Sequence, residues 1–388
     1  MKIRRNILLF KLYYLLGDLW PLSALAVVYF YQISGSYTFA LGVFSVANII
    51  QSLSEVPTGI LSDRIGRRKT MILSSFLFLL SFIAFALAGT MFPKLLLLAG
   101  ATTWGVACAV SSGTDDAFMY ETMQELRKAD KYDVLYARSK AFGQIGLATG
   151  AVIAAFVTYF WSLGALAWVS VVFGMLHLIV TLGFVEPSIQ TRTETTSVHH
   201  FVTAWRELMK NKKLKIFAFI QMLQKSIGFT SHRLEGAYFS GLVSLWLVNI
   251  ARVLKQICGT ISFLITPYIR KLGFYRILIG STIGMTVIKI IALGMNNVAT
   301  PFIQASVNLF YGASSTAGSA LLQQELSPAQ RATMGSIVSA LGGIFAAIVY
   351  WVVGFIADVS SVYVAIMLLV LGNFAGAGGY YWLLKKYK

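Results

Sequence analysis

Charge is what this sequence has least of. Only 12% of its 388 residues are Asp, Glu, Lys or Arg, about half the share carried by a water-soluble domain, which excludes an ordinary cytosolic enzyme. Acid is scarcer than base, with 15 Asp and Glu against 32 Lys and Arg. Cysteine is almost absent. Cys108 and Cys258 both lie inside apolar runs and share no metal-ligand spacing, so neither a disulfide framework nor a zinc site is expected. No phosphate-binding or dinucleotide-binding glycine loop accompanies a soluble domain, and no nucleophile elbow appears. The expectation is a protein that is not an enzyme and holds no cofactor and no metal.

What is present in excess is apolar. Hydrophobic residues make up 57% of the chain and aromatics 14%, a composition that a disordered chain does not have. A membrane helix needs about 20 mostly apolar residues. Twelve such runs are found, within 7–32, 38–60, 70–92, 94–124, 136–160, 163–185, 213–233, 239–267, 276–295, 301–324, 333–356 and 360–384. The expected fold is therefore an all-α polytopic membrane protein with twelve transmembrane helices. The fourth and eighth runs exceed one bilayer thickness and must tilt or project. The first imitates a cleaved leader, but Asp18 interrupts its apolar region and an even number of spans needs this helix.

Lys and Arg cluster in short segments between alternate runs, including Arg64 to Lys69, Arg127 to Lys131, and Lys210 to Lys215. This bias keeps those ends and both termini in the cytoplasm and removes the need for a nucleic-acid partner to explain the net charge of +17. The longest polar stretch, Glu186 to Lys213, divides the chain into a six-helix bundle over 1–186, a cytoplasmic linker over 187–212 and a second six-helix bundle over 213–388. Within the linker, Phe201 to Met209 has the pattern of a surface amphipathic helix with Trp205 at the interface. His199-His200 reads as a solvated pair, since no further ligand stands at useful spacing.

After the second run comes Gly59-Ile60-Leu61-Ser62-Asp63-Arg64-Ile65-Gly66-Arg67-Arg68-Lys69. This resembles the signature loop of the major facilitator superfamily, with Gly59, Asp63, Gly66, Arg67 and Arg68 all in place. The resemblance implies two pseudo-symmetric six-helix bundles, alternating access, a cavity lined by the first, fourth, seventh and tenth helices, and a monomer in the cytoplasmic (inner) membrane. It also implies that the loop closes the cytoplasmic side against the eleventh helix, near Arg331. Glu55 to Gly59 and Ser112 to Glu121 look like a bacterial branch of the superfamily that is broad and poorly characterised. The fifth helix, Gly143 to Gly150, lacks the glycine-proline pair of the drug/proton antiporters it resembles, though its glycines allow close packing. Tyr120-Glu121 before Arg138 is echoed by Gln324-Glu325 before Arg331. Glu121, Arg138, Glu325 and Arg331 are thus expected as inner-gate ion pairs, or else as solvated caps.

A charge at the centre of a membrane helix costs about 2.5–3.5 kcal/mol on insertion scales, so each needs a reason. Asp18, with Tyr14 on the same face, and Asp115 and Asp116 are acids of the first half. They are candidate proton-coupling groups, or else fixed counter-ions. The second half is basic. Gln221, Gln224, Lys225, Gly228 and Ser231 or His232 make one stripe, Asn249, Arg252, Gln256 (with Lys255 alongside) and Gly259 a second, and Gln304, Asn308, Tyr311 and Ser315 a third. Substrate contact is expected from Arg252, Lys225, Gln224, Gln256, Asn308, Tyr311 and Tyr14. A guanidinium such as Arg252 suits a carboxylate or phosphate, and the competing role for Arg252 and Lys225 is an internal salt bridge. Lys289 is expected to pair or snorkel. The function expected is secondary transport of a small organic solute, anionic or zwitterionic, coupled to protons or sodium. Multidrug efflux and lipid flipping on the same scaffold are the alternatives.

Overall fold

A computed structural model of the protein describes residues 3–188, 212–324 and 328–386. The linker features at His199, His200 and Trp205, and the gate candidate Glu325, lie outside the described residues, as do the side chains of Asp63 and Arg331. Every described element is helical, and helices cover each of the expected apolar runs.

The first run is broken. Helix α1 (Asn6–Asp18) stops at Asp18, a 3-10 turn follows over Pro21–Ala24, and α2 (Ala26–Ser34) completes the crossing. Proline at the first position of the turn suits its missing N–H. Helices α3 (Tyr37–Ile65) and α4 (Arg67–Leu87) come next, then α5 (Pro93–Ser111) and α6 (Thr114–Glu125). The sequence reads the fourth run as one helix, but it breaks at Ser112-Gly113, where the backbone turns left-handed (φ 72°). Helices α7 (Tyr132–Phe160) and α8 (Leu163–Leu182) finish the first half.

The second half runs α9 (Lys212–Ser240), α10 (Leu245–Ile269), α11 (Phe274–Met295), α12 (Thr300–Ala305), α13 (Tyr311–Gln324), α14 (Pro328–Val359) and α15 (Val362–Lys386). A 3-10 turn at Ser306–Leu309 separates α12 from α13, so the tenth run is broken as the first and fourth are. Among the described residues, ten helices or helix pairs are long and apolar enough to cross a membrane. The runs at 213–233 and 301–324 are helical but not among the ten, because their Gln, Lys, Asn and Ser residues dilute the apolar content.

Two compact units result, Met1–Gly35 with Val43–Thr195, and Ser36–Gly42 with Thr196–Lys388. In the first, α1 packs on α7 and α8, and α4 on α5 and α8; in the second, α9 packs on α14 and α15, and α11 on α13 and α15. The same pairings by order of crossing recur in both. The repeat extends to backbone geometry. Gly66, ahead of α4, has φ 94° and ψ 151°, and Gly273, ahead of α11, has φ 85° and ψ 141°, a region open only to glycine without strain. The first core gathers Phe10, Tyr13, Met71, Phe118 and Phe184, the second Phe217, Ile277, Leu321 and Tyr380. In the second unit, Asp358 accepts from Ser36 Oγ and Tyr37 N at 2.6 Å and from Thr38 N at 2.9 Å.

Lipid offers helices no hydrophobic reason to associate, so small residues and hydroxyls do that work. On α4, Ser74 donates to Ala107 O at 2.9 Å, Ser81 donates to Gly100 O at 2.8 Å, and Ser75 meets Thr181 at 2.9 Å. On α7 the glycines at 143, 146 and 150 are buried, and those at 143 and 146 face α1 so closely that a Cβ would strike the Asp18 carboxylate or the Leu15 carbonyl. Gly146→Ala is therefore expected to lower the thermal midpoint in detergent, by about 1–3 kcal/mol of overpacking. Gly280→Ala, where a Cβ meets nothing within 4 Å, should be neutral or gain up to about 1 kcal/mol of helix propensity. Equal midpoints for the two variants would contradict the α1–α7 contact.

Candidate functional site

The break in the fourth run creates a helix start inside the bundle, and Asp115 and Asp116 occupy its first turn, where the helix dipole favours negative charge. Tyr14 of α1 donates its hydroxyl to Asp115 Oδ2 at 2.7 Å, with Asp116 Oδ1 at 3.4 Å. The Lys140 ammonium of α7 stands 4.2 Å from the centre of the Tyr14 ring and 5.3 Å from that of Tyr136, in electrostatic range of Asp18 and Asp116. Asp18 is exposed and faces Gly143. Tyr14, Asp18, Asp115 and Asp116 thus share one region of the first unit, and Lys140, which sequence counts only as a topology signal, joins them.

The second unit carries the opposite balance. Arg252 is half-buried on α10, in electrostatic range of Arg233 and Glu235. No hydrogen bond or ion pair engages its guanidinium among the described residues. Lys225 is exposed on α9 and likewise has no described partner. Gln224 points elsewhere, donating to Asn373 O of α15 at 3.3 Å. Asn308 lies against Gly259 of α10, Tyr311 is exposed with its ring edge-on to Phe263 at 6.1 Å, and Gln256 is half-buried.

A group that sequence reading passed over stands beside these. Glu235, on α9, is buried and paired with Lys255 of α10. It also accepts from Gln304 at 3.0 Å and faces Lys289 of α11 at 3.9 Å. The signal was there, since Glu235 continues the stripe of Gly228 and Ser231 by one more turn. It falls just past the expected end of the seventh run, where a charge reads as a solvated helix end.

The signature loop is tied inward. Glu121, fully buried, lies 3.7 Å from Arg67 rather than beside Arg138, which is exposed. Arg67 also donates to Ser62 Oγ at 2.9 Å, and Thr114 donates to the same oxygen at 3.2 Å. Arg68 clasps the end of α8, donating through Nε to Phe184 O at 2.7 Å and through Nη2 to Leu182 O at 3.0 Å. Glu186 returns the contact by accepting from Arg68 N at 2.9 Å. The start of α4 and the end of α8 are therefore capped by each other's side chains. The backbones of Gly59 and Asp63 lie within α3 and Gly66 makes the turn after it.

Residues 16–254 match the Major Facilitator Superfamily. No curated protein sequence matches the chain. Among solved structures, a mutant of the nucleoside transporter NupG superposes with a TM-score of 0.82 at 15% identity, over 97% of this chain and 98% of that one. A D-xylose-proton symporter gives 0.76 at 15% identity over 99% and 97%. A bacterial homologue of the human lysosomal transporter Spinster gives 0.74 at 14% over 98% and 97%.

Burial pushes the Glu186 carboxyl above its ordinary value, and its Oε1 is buried without a hydrogen-bond partner. A raised acid contributes most to stability below its unfolded value, and that contribution is lost as pH rises through the folded one. Glu186→Gln does not titrate. Its thermal midpoint minus that of the wild type is therefore expected to rise as pH increases from about 4 toward 7, across the carboxylate range. Glu186→Ala, which also removes the cap on α4, should lie about 1 kcal/mol below Glu186→Gln at any pH. A pH-independent difference for the Gln variant would show that Glu186 titrates normally.

Proposed function

The chain belongs to the major facilitator superfamily, and from that premise we propose that it moves a small organic anion or zwitterion across the cytoplasmic membrane in step with protons. It is a secondary transporter and not an enzyme, working by alternating access. In this reading the halves are six-helix bundles over 1–186 and 213–388 joined by 187–212, and twelve helices cross the bilayer with both termini in the cytoplasm. The transporter acts as a monomer.

The observation that carries the anionic substrate is Arg252. A guanidinium offers five N–H donors, and leaving a charge unsatisfied within a membrane bundle is costly. With no described partner, Arg252 is the natural seat for a carboxylate or phosphate, which it can grip through two parallel hydrogen bonds. The exposed Lys225 adds a second positive charge on the neighbouring helix α9. Proton coupling is supported by the acids Asp18, Asp115 and Asp116 gathered around Tyr14, and by the fold shared with a protein described as a proton symporter. A second reading, efflux of cationic amphipathic drugs, is favoured by one observation, the exposed Asp18.

The test is ligand-induced thermal stabilisation of the purified protein with panels of organic anions, zwitterions, lipophilic cations and neutral drugs. A ligand bound only by the folded state raises the midpoint. Anions are expected to stabilise the wild type, and Arg252→Ala should weaken that binding by about 10- to 150-fold, the loss of about 1.5–3 kcal/mol from a charged hydrogen bond. Stabilisation by cations that persists in Arg252→Ala and fails in Asp18→Asn would establish the drug reading instead.

A further inference from the structure

The densest charged cluster in the second unit surrounds Glu235, and its hydrogen-bonding is nearly complete. Glu235 Oε2 is held by the Lys255 ammonium. Oε1 accepts from Gln304 Nε2 at 3.0 Å, with Lys289 Nζ 3.9 Å away. Lys289 is itself fixed by donating to Ser231 Oγ at 2.8 Å. Lys255 Nζ lies 3.3 Å from His232 Nδ1; an ammonium has only donors, so Nδ1 is the acceptor and the imidazole is neutral. One carboxylate therefore faces two ammonium groups, with Arg252 in range as a third cation.

Two features of this cluster ask for a ligand. The first is the buried positive charge, which needs an anion beside it: with Glu235 protonated, Lys255 and Lys289 are left facing no carboxylate, and an incoming anion takes its place. The second is Gln304. Its side chain is buried, with 1% of its surface exposed, and its Oε1 has no hydrogen-bond partner although its Nε2 serves the carboxylate. The same amide, turned over, offers Oε1 to the O–H of a protonated acid. Gln304 is thus equipped for both protonation states of Glu235.

Resting on the anionic-substrate reading, we propose that Glu235 is a built-in stand-in for the transported anion. A proton from water adds to Glu235 Oε1, where the turned Gln304 amide accepts it, the ion pair with Lys255 opens, and a carboxylate or phosphate of the solute takes the vacated ammonium. When the solute leaves, Lys255 recovers the carboxylate and the proton returns to water. The net charge of the cluster is the same before and after each exchange, since proton and anion enter together, so neither step places additional charge in a medium that solvates it badly. A coupling group is then present in the second half, in addition to the acids gathered around Tyr14 in the first.

The charged and titratable groups facing Glu235 are His232 and Arg233 on its own helix, Arg252 and Lys255 on α10, and Lys289 on α11. Of the two helices packed along α9 from the other side, α14 brings Tyr350 to Arg233 and α15 brings Tyr363 to Tyr238.

The experiment measures binding by thermal shift of the full chain in detergent between pH 6 and pH 8.5. The probes are lactate, gluconate, glutamate and sulfate, which stay ionised across that range. If the site binds anion only when Glu235 is protonated, the wild type loses about tenfold in apparent affinity per pH unit on the alkaline side. Glu235→Gln should abolish that slope and bind at every pH at least as tightly as the wild type at pH 6. Lys255→Gln should lose binding throughout. If Glu235→Gln does not fold, the charge-balanced double variant Glu235→Gln with Lys289→Gln reports the same slope. A wild-type slope retained in the Glu235 variants overturns the proposal while leaving the anionic substrate standing. Wild-type affinity in Lys255→Gln overturns it likewise. Failure of every probe to stabilise the wild type at any pH overturns the anionic substrate and the exchange together.

Discussion

A charge carried into hydrocarbon must be satisfied from within the protein, and the arrangement of this molecule follows from that constraint. Among the described residues, three intramembrane carboxylates have answering donors. Asp115 has the Tyr14 hydroxyl and a helix start, Glu121 has Arg67, and Glu235 has Lys255, Lys289 and Gln304. Arg252 stands apart because the described residues offer it electrostatic neighbours and no bonded one. The helices that meet at these points are the ones whose small residues and hydroxyls permit close approach, as at Gly146 against Leu15 and Ser81 against Gly100. Packing and electrostatics are in this sense one problem, solved by the same faces.

The two halves solve it with opposite signs on a common plan. The repeat is plain in the pairing of helices and in the twin glycine turns at Gly66 and Gly273. It is not carried by the side chains. Where the first turn is followed by Arg67 and Arg68, bonded inward to Glu121 and to the end of α8, the second is followed by Phe274 and Tyr275, which pack on an apolar core. A backbone geometry has been kept while, among the described residues, its charged hardware stands in one copy, which makes this fastening a property of the first half.

Most of the architecture was legible in the sequence, because a helix in lipid must be apolar for its whole length and basic loops stay on one side. The loop around Gly66 and its arginines was legible for the same reason, being short, charged and placed between two runs. What was hidden depends on distance through space. The break at Ser112-Gly113 is silent because serine and glycine occur in unbroken membrane helices too. Lys140 counts as one more basic residue until α7 is laid along α1 and the ammonium is found above Tyr14. Glu235 was lost to an end effect, since a window that closes at 233 treats the next acid as belonging to water. Gln224, which the stripe places among the polar positions of its helix, donates its amide to the carbonyl of Asn373, a contact that periodicity does not reveal.

Three crossings are interrupted, at Pro21–Ala24, at Ser112-Gly113 and at Ser306–Leu309, while the others run as single helices among the described residues. An interruption ends the helical hydrogen-bond ladder and leaves backbone groups to find other partners, as Leu22 N does at Ser170 Oγ and Gly312 N at Ser262 Oγ. It is also where a rod bends most cheaply. In this protein the compliant joints and the polar chemistry fall on the same segments, Asp18 and Asp115 flanking two of the joints and Asn308 lying in the third. A ligand bonded across one of these joints would stiffen the helix there, and its departure would restore the hinge.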